Sequence, residues 1–251
     1  MTETFDIFLI AMAALALVVY VALHFFEAGY GYLFDRRYGF PVSNKLGWML
    51  MEAPVFVAMT ILWLLSDRTW QAAPLVLFLM FQNLYRAFIF PLRLRGRSKM
   101  PFGIVAMGML FNTLNALMQG GWIFFVSPAD YYEGWFARPY IYIGAAIFFA
   151  GMYVNRRSDA IIRGLRKEGD TRHYIPRGGM FRYVSSANYF GELTEWTGFA
   201  VASWSWAGAV FVWWTFANLA PRSASLYKRY TAEFGEEFTV LKRKRIIPFI
   251  Y

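Results

Sequence analysis

The chain has 251 residues, of which 58% are hydrophobic and only 16% charged, whereas soluble proteins carry about a quarter charged residues. This composition excludes an ordinary soluble enzyme and predicts an integral membrane protein. Cysteine is absent and there are only two histidines, which excludes disulfides and argues against a metal site. The net charge of +9 is attributed to basic cytoplasmic loops, so no nucleic-acid partner is expected.

Five apolar runs are long enough to cross a membrane, at about residues 5–26, 47–65, 72–92, 102–126 and 140–162. The first, third and fifth connections are basic, whereas the second and fourth each carry a single arginine, Arg68 and Arg138. The positive-inside rule therefore places the N-terminus outside. The first run lacks a basic start and a small-residue cleavage site, so it is interpreted as a retained helix and not a signal peptide.

The stretch 184–220 lies between two basic segments, roughly 156–182 and the tail from Arg222 onward. Because both flanks should be cytoplasmic, this stretch must cross an even number of times, as two short helices or a re-entrant pair. The predicted fold is therefore an all-α polytopic membrane protein with seven transmembrane helices and a cytoplasmic C-terminus. No repeat or linker divides the chain, so residues 1–251 are predicted to form a single domain.

The second run places Glu52 among apolar residues, with Trp48 one turn earlier. Burial favours the neutral acid, which could donate a hydrogen bond to a ligand oxygen. The alternative is a side chain that snorkels near the helix start.

Polar side chains also occur in the third and fourth runs. These are Gln82, Asn83, Tyr85 and Arg86 in the third run, and Asn112, Asn115 and Gln119 in the fourth. Such residues can simply hold helices together by hydrogen bonds. Taken with the other ionisable groups of this small bundle, they favour a wet cavity.

The C-terminal half carries two more polar sets at helical spacing. These are Asn155, Asp159 and Arg166 at i, i+4 and i+11, and Asn188, Glu192 and Glu195 at i, i+4 and i+7. Carboxylates can accept from ribose hydroxyls and guanidinium groups can bind phosphates. The alternative for the basic end is a patch attracted to anionic lipid. No glycine-rich nucleotide motif occurs, so a nucleotide would be held without a Rossmann fold or a P-loop.

Three ordered runs resemble the C-terminal domain of the steroid 5α-reductase (3-oxo-5α-steroid 4-dehydrogenase) family: VNRRSDAIIRGLRKEG, YIPRGGMFRYVSSANYFGELTEWTGFAVASWS and FGEEFTVLKRKRIIPFIY. The resemblance covers about 150–251 closely and continues weakly through Glu52 and Arg95 to Arg97. It implies a bacterial-type, all-helical membrane reductase that transfers a hydride from NADPH to the β-carbon of a 3-oxo-Δ4-steroid or similar apolar enone, giving the 5α-product. Residues 1–149 would form the substrate side and 150–251 the NADPH-binding half.

The resemblance also assigns roles by position. Glu52 matches the carboxyl that meets the substrate ketone and stabilises the developing enolate. The dinucleotide contacts would be Asn155, Asp159, Arg166, Asn188, Glu192, Arg222 and Tyr230, with Arg97 and Arg243 as additional contacts. Glu195 receives no role and no metal is implied.

The chain departs from the family pattern in the third run. The family usually places a tyrosine three residues before Arg86 as a second donor to the ketone, and this chain has Asn83 there. Asn83 could donate through its amide, or Tyr85 could take the role if the helix is locally rewound. Glu52 and Tyr85 are therefore predicted to be catalytic, and Trp48, Asn83 and Arg86 to bind substrate. Met51 stands where the family often has glutamine.

The expected partners are a small steroid-like substrate and the lipid bilayer of a bacterial inner membrane or the endoplasmic reticulum, with a monomer whose cofactor site faces the cytoplasm. Relatives that reduce polyprenol, enoyl or sterol substrates are alternatives. The tail from Phe234 to Pro248 is also similar to that of isoprenylcysteine methyltransferases, whose cofactor would be S-adenosylmethionine. A lipid-binding or transport protein without catalysis is a third reading.

Overall fold

The computed structural model describes residues 2–26, 36–94, 99–165, 170 and 172–251, and this part of the chain is mostly helical, as predicted. Its elements are α1 (Thr2–Phe25), β1 (Pro41–Ser43), α2 (Asn44–Leu64), α3 (Thr69–Leu84), α4 (Phe90–Arg93), β2 (Lys99–Pro101), α5 (Phe102–Gly120), α6 (Pro139–Gly164), α7 (Ala187–Ser203), α8 (Trp206–Phe234) and α9 (Glu236–Thr239). The two short strands pair antiparallel, with Val42 opposite Met100.

Each predicted apolar run corresponds to a helix. Among the described residues, four helical segments are long and apolar enough to cross a membrane: Thr2–Phe25, Asn44–Leu64, Trp70–Arg93 and Phe102–Val126. The stretch 184–220 contains α7 and the first half of α8. The α8 helix continues through Pro221 to Phe234, so the basic tail that begins at Arg222 starts within a helix. The seven-span count and the orientation of the termini stay predictions.

The chain divides into two compact units. Unit 1 comprises Met1–Ala11, Ala28–Pro139 and Ser205–Ala207, and unit 2 comprises Met12–Glu27, Tyr140–Trp204 and Gly208–Tyr251. The single-domain assignment made from the sequence stays a prediction.

Two helices of unit 1 each widen into a π turn shortly before a proline. In the first, Tyr85–Ile89, the amide of Phe90 donates to the carbonyl five residues back, and Pro91 follows. The second, Gly121–Val126, ends α5 in the same way shortly before Pro128. Proline has no N–H and its ring clashes with the carbonyl four residues earlier, which favours a wider turn. Each π turn holds one residue more than an α-helical turn and so changes the direction of the side chains on either side.

The polar stripe of α5 partly holds helices together, as one interpretation predicted. Gln119 Nε2 donates to Ala207 O at 3.0 Å and contacts Asn115 Oδ1 at 3.5 Å. One turn away from Asn115, Asn112 Nδ2 donates to Met51 O at 2.7 Å and thereby attaches α5 to α2.

In unit 2, glycines bring the main chains of α6 and α7 into contact. The glycines recur seven residues apart on each helix and so lie on one face of it. An added Cβ would lie 2.2–2.3 Å from a main-chain nitrogen of the other helix at four positions: Gly144 facing Ala202, Gly151 facing Glu195, Gly191 facing Asn155, and Gly198 facing Phe148. The paired numbers rise on one helix as they fall on the other, so the two helices run antiparallel.

The α8 helix is fixed to α1 within the same unit. The indole N–H of Trp214 donates to Met12 O at 2.8 Å, and that of Trp213 donates to Ala13 O at 3.1 Å. These two bonds mark where α8 packs against α1.

Replacing Gly198 by alanine should lower the free energy of unfolding by about 1–3 kcal/mol, because the new methyl group overlaps the Phe148 main chain, which cannot move aside alone. Thermal unfolding of the detergent-solubilised protein measures the change. Gly164→Ala is the matched control, since nothing lies within 4 Å of its added Cβ. Equal midpoints for the two variants would contradict the close contact.

Candidate active site

Glu52 is the centre of a polar cluster inside unit 1. The residue is 8% exposed, and its carboxyl is contacted from two other segments, by Arg86 Nη2 at 3.4 Å from Oε1 and by Asn112 Nδ2 at 3.4 Å from Oε2. The Arg86 guanidinium also lies 5.3 Å from the centre of the Trp48 ring, a cation–π distance. The structure therefore brings together three of the predicted site residues, Trp48, Glu52 and Arg86, and adds Asn112.

Glu52 is buried and contacted by Arg86 and Asn112, which differs from the exposed carboxyl that the snorkelling alternative predicts. The guanidinium beside it could not be anticipated from the sequence, since 34 residues separate the two. A guanidinium at this distance places positive charge beside the carboxyl. Both contacts are longer than the 2.7–2.9 Å typical of charge-assisted hydrogen bonds, which leaves room for a ligand oxygen to compete for them.

Asn83 and Tyr85 are both buried, at 5% and 6% exposure. Tyr85 begins the π turn, so the helix is rewound where the sequence-based alternative required it. Within the described ranges, the Asn83 amide nitrogen donates no hydrogen bond although it is inaccessible to solvent. A buried donor without an acceptor costs about 1–3 kcal/mol, and a ligand oxygen would remove that cost.

In unit 2, the predicted cofactor residues of α6 and α7 lie where the two helices touch. Asn155 is buried, and its Nδ2 donates to Asn188 O at 2.9 Å. Asp159, one turn further along α6, is also buried, whereas Asn188 and Glu192 are half-buried. Because Gly191 faces Asn155 at the contact, the polar side chains on either side of it stay close to α6.

Arg222 is buried on α8 and has a partner that the sequence did not single out. Its Nε donates to the hydroxyl of Tyr189 at 2.6 Å. Tyr189 directly follows Asn188, but the chain contains 16 tyrosines, so no pattern distinguished this one. The bond fixes the direction of the Arg222 guanidinium relative to α7.

Arg243 is a buried cation without a carboxylate partner in the described part of the chain. It is 7% exposed, its Nη1 donates to Pro176 O at 2.8 Å, and its Nε has no acceptor. Burial lowers the pKa of Arg243, and the nearby Arg177 lowers it further, while Tyr230 acts in the opposite direction. An anionic group beside this guanidinium would offset both unfavourable effects, and a phosphate fits that requirement.

The segment 172–177 is attached to the end of unit 2 that carries Arg243. His173 Nδ1 lies 3.1 Å from Glu233 Oε1, and Arg177 Nη2 lies 3.0 Å from Glu237 Oε1. Just before this segment lies Asp170. Hydrogen bonds from the side chains of Arg172 and, to a lesser extent, Tyr174 hold the pKa of its carboxyl well below the usual range. These pairs are exposed and each contributes little to stability, but together they keep Pro176 next to Arg243.

The other predicted residues are placed as follows. Tyr230 stacks on Phe238 with ring centres 5.3 Å apart and lies near Arg243. Glu195 is fully buried on α7. Arg97 and Arg166 lie outside the described residues. Asn112 and Tyr189 are the contacts that the sequence-based site set lacked.

Comparisons of the sequence with a family model and with individual proteins point to the same family. The family described as 3-oxo-5-alpha-steroid 4-dehydrogenase matches residues 98–251. The chain is 38% identical over 240 residues to steroid 5-alpha-reductase DET2 of Arabidopsis thaliana, covering 92% of this chain and 90% of the relative. It is also 38% identical over 215 residues to 3-oxo-5-alpha-steroid 4-dehydrogenase 1 of Homo sapiens, covering 84% and 81% of the two chains.

The contact between Glu52 and Arg86 predicts strong coupling in a double-mutant cycle. Removing one partner, as in Arg86→Met, should cost about 3–5 kcal/mol because the other group is left buried and uncompensated. The double variant Glu52→Gln/Arg86→Met should lose clearly less than the sum of the single variants, as measured by thermal or denaturant unfolding. Arg172→Met is the control, because its pair with Asp170 is exposed and should contribute little to stability. Additive losses at Glu52 and Arg86 would contradict the pairing.

Proposed function

The chain belongs to the 3-oxo-5-alpha-steroid 4-dehydrogenase family, and on this premise we propose that it is a membrane-embedded reductase of a 3-oxo-Δ4-steroid or a similar flat apolar enone. It is an oxidoreductase of the steroid 5α-reductase type, with apolar helices suited to a bilayer. The observation that carries the proposal is the buried Glu52 with half-buried Arg86, Asn112 and Trp48 around it, since polar groups in an apolar bundle need a ligand or a functional reason.

The substrate end of the reaction is assigned to unit 1. Reduction of an enone places negative charge on its ketone oxygen, and donors already aimed at that oxygen stabilise the transition state. The Arg86 guanidinium supplies positive charge, and Glu52, protonated once the ketone oxygen replaces its contact with Arg86, donates one hydrogen bond. The Asn83 amide donates a second hydrogen bond, which its lack of an acceptor among the described residues supports. Trp48 provides an apolar face for a flat ring system.

The cofactor end is assigned to unit 2. NADPH supplies the hydride that is added to the β-carbon of the enone, and a proton is added to the α-carbon. Asp159 and Glu192 accept from ribose hydroxyls, while Asn155 and Asn188 hydrogen-bond polar edges of the dinucleotide. Arg222, held by Tyr189, and the buried Arg243 bind phosphates, with Tyr230 beside them. Arg97 and Arg166 are included through the family resemblance.

The proposed topology follows the distribution of basic residues. The helices α1, α2, α3, α5, α6, α7 and α8 would be the seven spans, with the N-terminus outside and the cofactor residues of unit 2 toward the cytoplasm. The protein would act as a monomer in a bacterial inner membrane or in the endoplasmic reticulum. A methyltransferase using S-adenosylmethionine would not require the buried guanidinium of Arg243, which favours a phosphate-bearing cofactor.

The proposed activity predicts that the purified protein in nanodiscs oxidises NADPH only when a 3-oxo-Δ4-steroid or another enone is added. Glu52→Gln should keep NADPH-dependent thermal stabilisation but lose turnover by about 10²–10³-fold, since a donor at the developing oxyanion is altered. Glu236→Gln, an exposed site on α9, is the control. Stabilisation by S-adenosylmethionine and not by NADPH, or no turnover with any steroid, polyprenol or enoyl substrate, would exclude the proposal.

The assignment of the second donor predicts different results for two neighbouring residues. Asn83→Ala should reduce kcat/KM by about 10-fold or more, because one hydrogen bond to the ketone is lost. Tyr85→Phe keeps the ring and removes only the hydroxyl, and it should change kcat/KM much less. Steady-state kinetics with one steroid under both substitutions decides between them. A larger loss for Tyr85→Phe would transfer the role to Tyr85.

A further inference from the structure

The tail of unit 2 forms a surface whose exposed residues the proposed reaction does not use. It consists of two adjoining segments, 178–186 and 240–251, and is called the tail surface below. The segments are joined by main-chain bonds: Lys244 N donates to Tyr183 O at 2.9 Å, Ser185 N to Lys244 O at 2.8 Å, and Ser186 N to Arg245 O at 3.0 Å. The tail surface is therefore part of the folded unit and not a loose end.

Large apolar side chains project from the tail surface. Phe249 is 77% exposed and Ile250 is 75% exposed. The ring of Tyr183, itself 39% exposed, lies 5.3 Å from the ring of Phe249. Phe249 also has φ of 66°, a conformation that bulky residues rarely adopt. The backbone at Phe249 is therefore strained by about 1–3 kcal/mol, although the side chain of this residue is exposed.

The charge of the tail surface has a single sign. The two segments contain no aspartate or glutamate, and their basic residues are Arg182, Lys242, Arg243, Lys244 and Arg245. Of these, Arg243 is buried and Arg245 donates to the Tyr251 hydroxyl at 3.0 Å. Arg182, Lys242 and Lys244 remain exposed in the same two segments as the apolar side chains.

We propose that the tail surface is a contact site for anionic lipid headgroups at the cytoplasmic face of the membrane. The two segments expose aromatic and aliphatic side chains together with lysine and arginine. This combination suits a membrane surface, where apolar groups enter the acyl boundary and cations meet phosphates. The position agrees, because the tail surface ends at Ser186, next to the first residue of α7. That placement relies on α7 being a span, as in the proposed function, whereas the exposed basic and apolar composition does not.

The absence of cysteine makes a site-specific test straightforward. Phe249→Cys introduces a single thiol, which is labelled with an environment-sensitive nitrobenzoxadiazole fluorophore after reconstitution into nanodiscs holding one copy each. Mixing phosphatidylglycerol into phosphatidylcholine should shift the emission to the blue and raise its intensity. The same label at Glu236→Cys, on exposed α9, should not respond. Reductase activity of the same samples is measured separately, so a failure of lipid contact is distinct from a failure of the proposed function.

The charge requirement is tested with Arg182→Gln/Lys244→Gln in the Phe249→Cys background. The phosphatidylglycerol content that gives half the fluorescence change should rise by about fivefold for each removed charge, in line with roughly 1 kcal/mol per basic residue near an anionic surface. Unchanged thermal midpoints confirm that the variants are folded. The proposal is overturned if the label at 249 stays in water in both lipids, if it is shielded equally by phosphatidylcholine alone, or if it is shielded only when two copies share a nanodisc.

Discussion

The main-chain contact between α6 and α7 is the constraint on which unit 2 depends. Four glycines leave no side chain between the helices, so every neighbouring residue takes a fixed direction from that contact. Asn155 reaches the Asn188 carbonyl only because the helices are this close at Gly191. Small residues are the usual means of close helix packing where lipid removes the hydrophobic drive between helices. The four glycines thus contribute to stability and also set the spacing of the polar groups assigned to the dinucleotide.

Unit 1 is constrained differently, because it holds ionisable side chains inside an apolar bundle. Glu52 is surrounded by a cation, an amide and an aromatic ring from different segments. Neither of these two polar contacts is short, which leaves room for a ligand oxygen to compete for them. A better-paired cluster would contribute more to stability and leave less for a substrate to gain.

Much of this arrangement could be predicted from the sequence, and the exceptions have a common physical cause. Helical spacing correctly placed Asn188, Glu192 and Glu195 on one helix, and hydropathy located the long helices. Contacts between distant residues could not be read from local pattern, as with Arg86 beside Glu52 and Tyr189 on Arg222. The continuation of α8 past Pro221 was missed because basic residues after an apolar run indicate where a membrane ends and not where a helix ends.

The π turn at Tyr85–Ile89 lets the substrate end of unit 1 hold one residue more than a continuous α-helix would. If the same residues wound as an α-helix throughout, the side chains before the segment would rotate by about 100° relative to those after it. Asn83 and the residues of α4 would then face different neighbours although none had changed. Among relatives, a one-residue gap here would therefore be tolerated when the shorter segment winds as an α-helix, because the flanking side chains keep their directions.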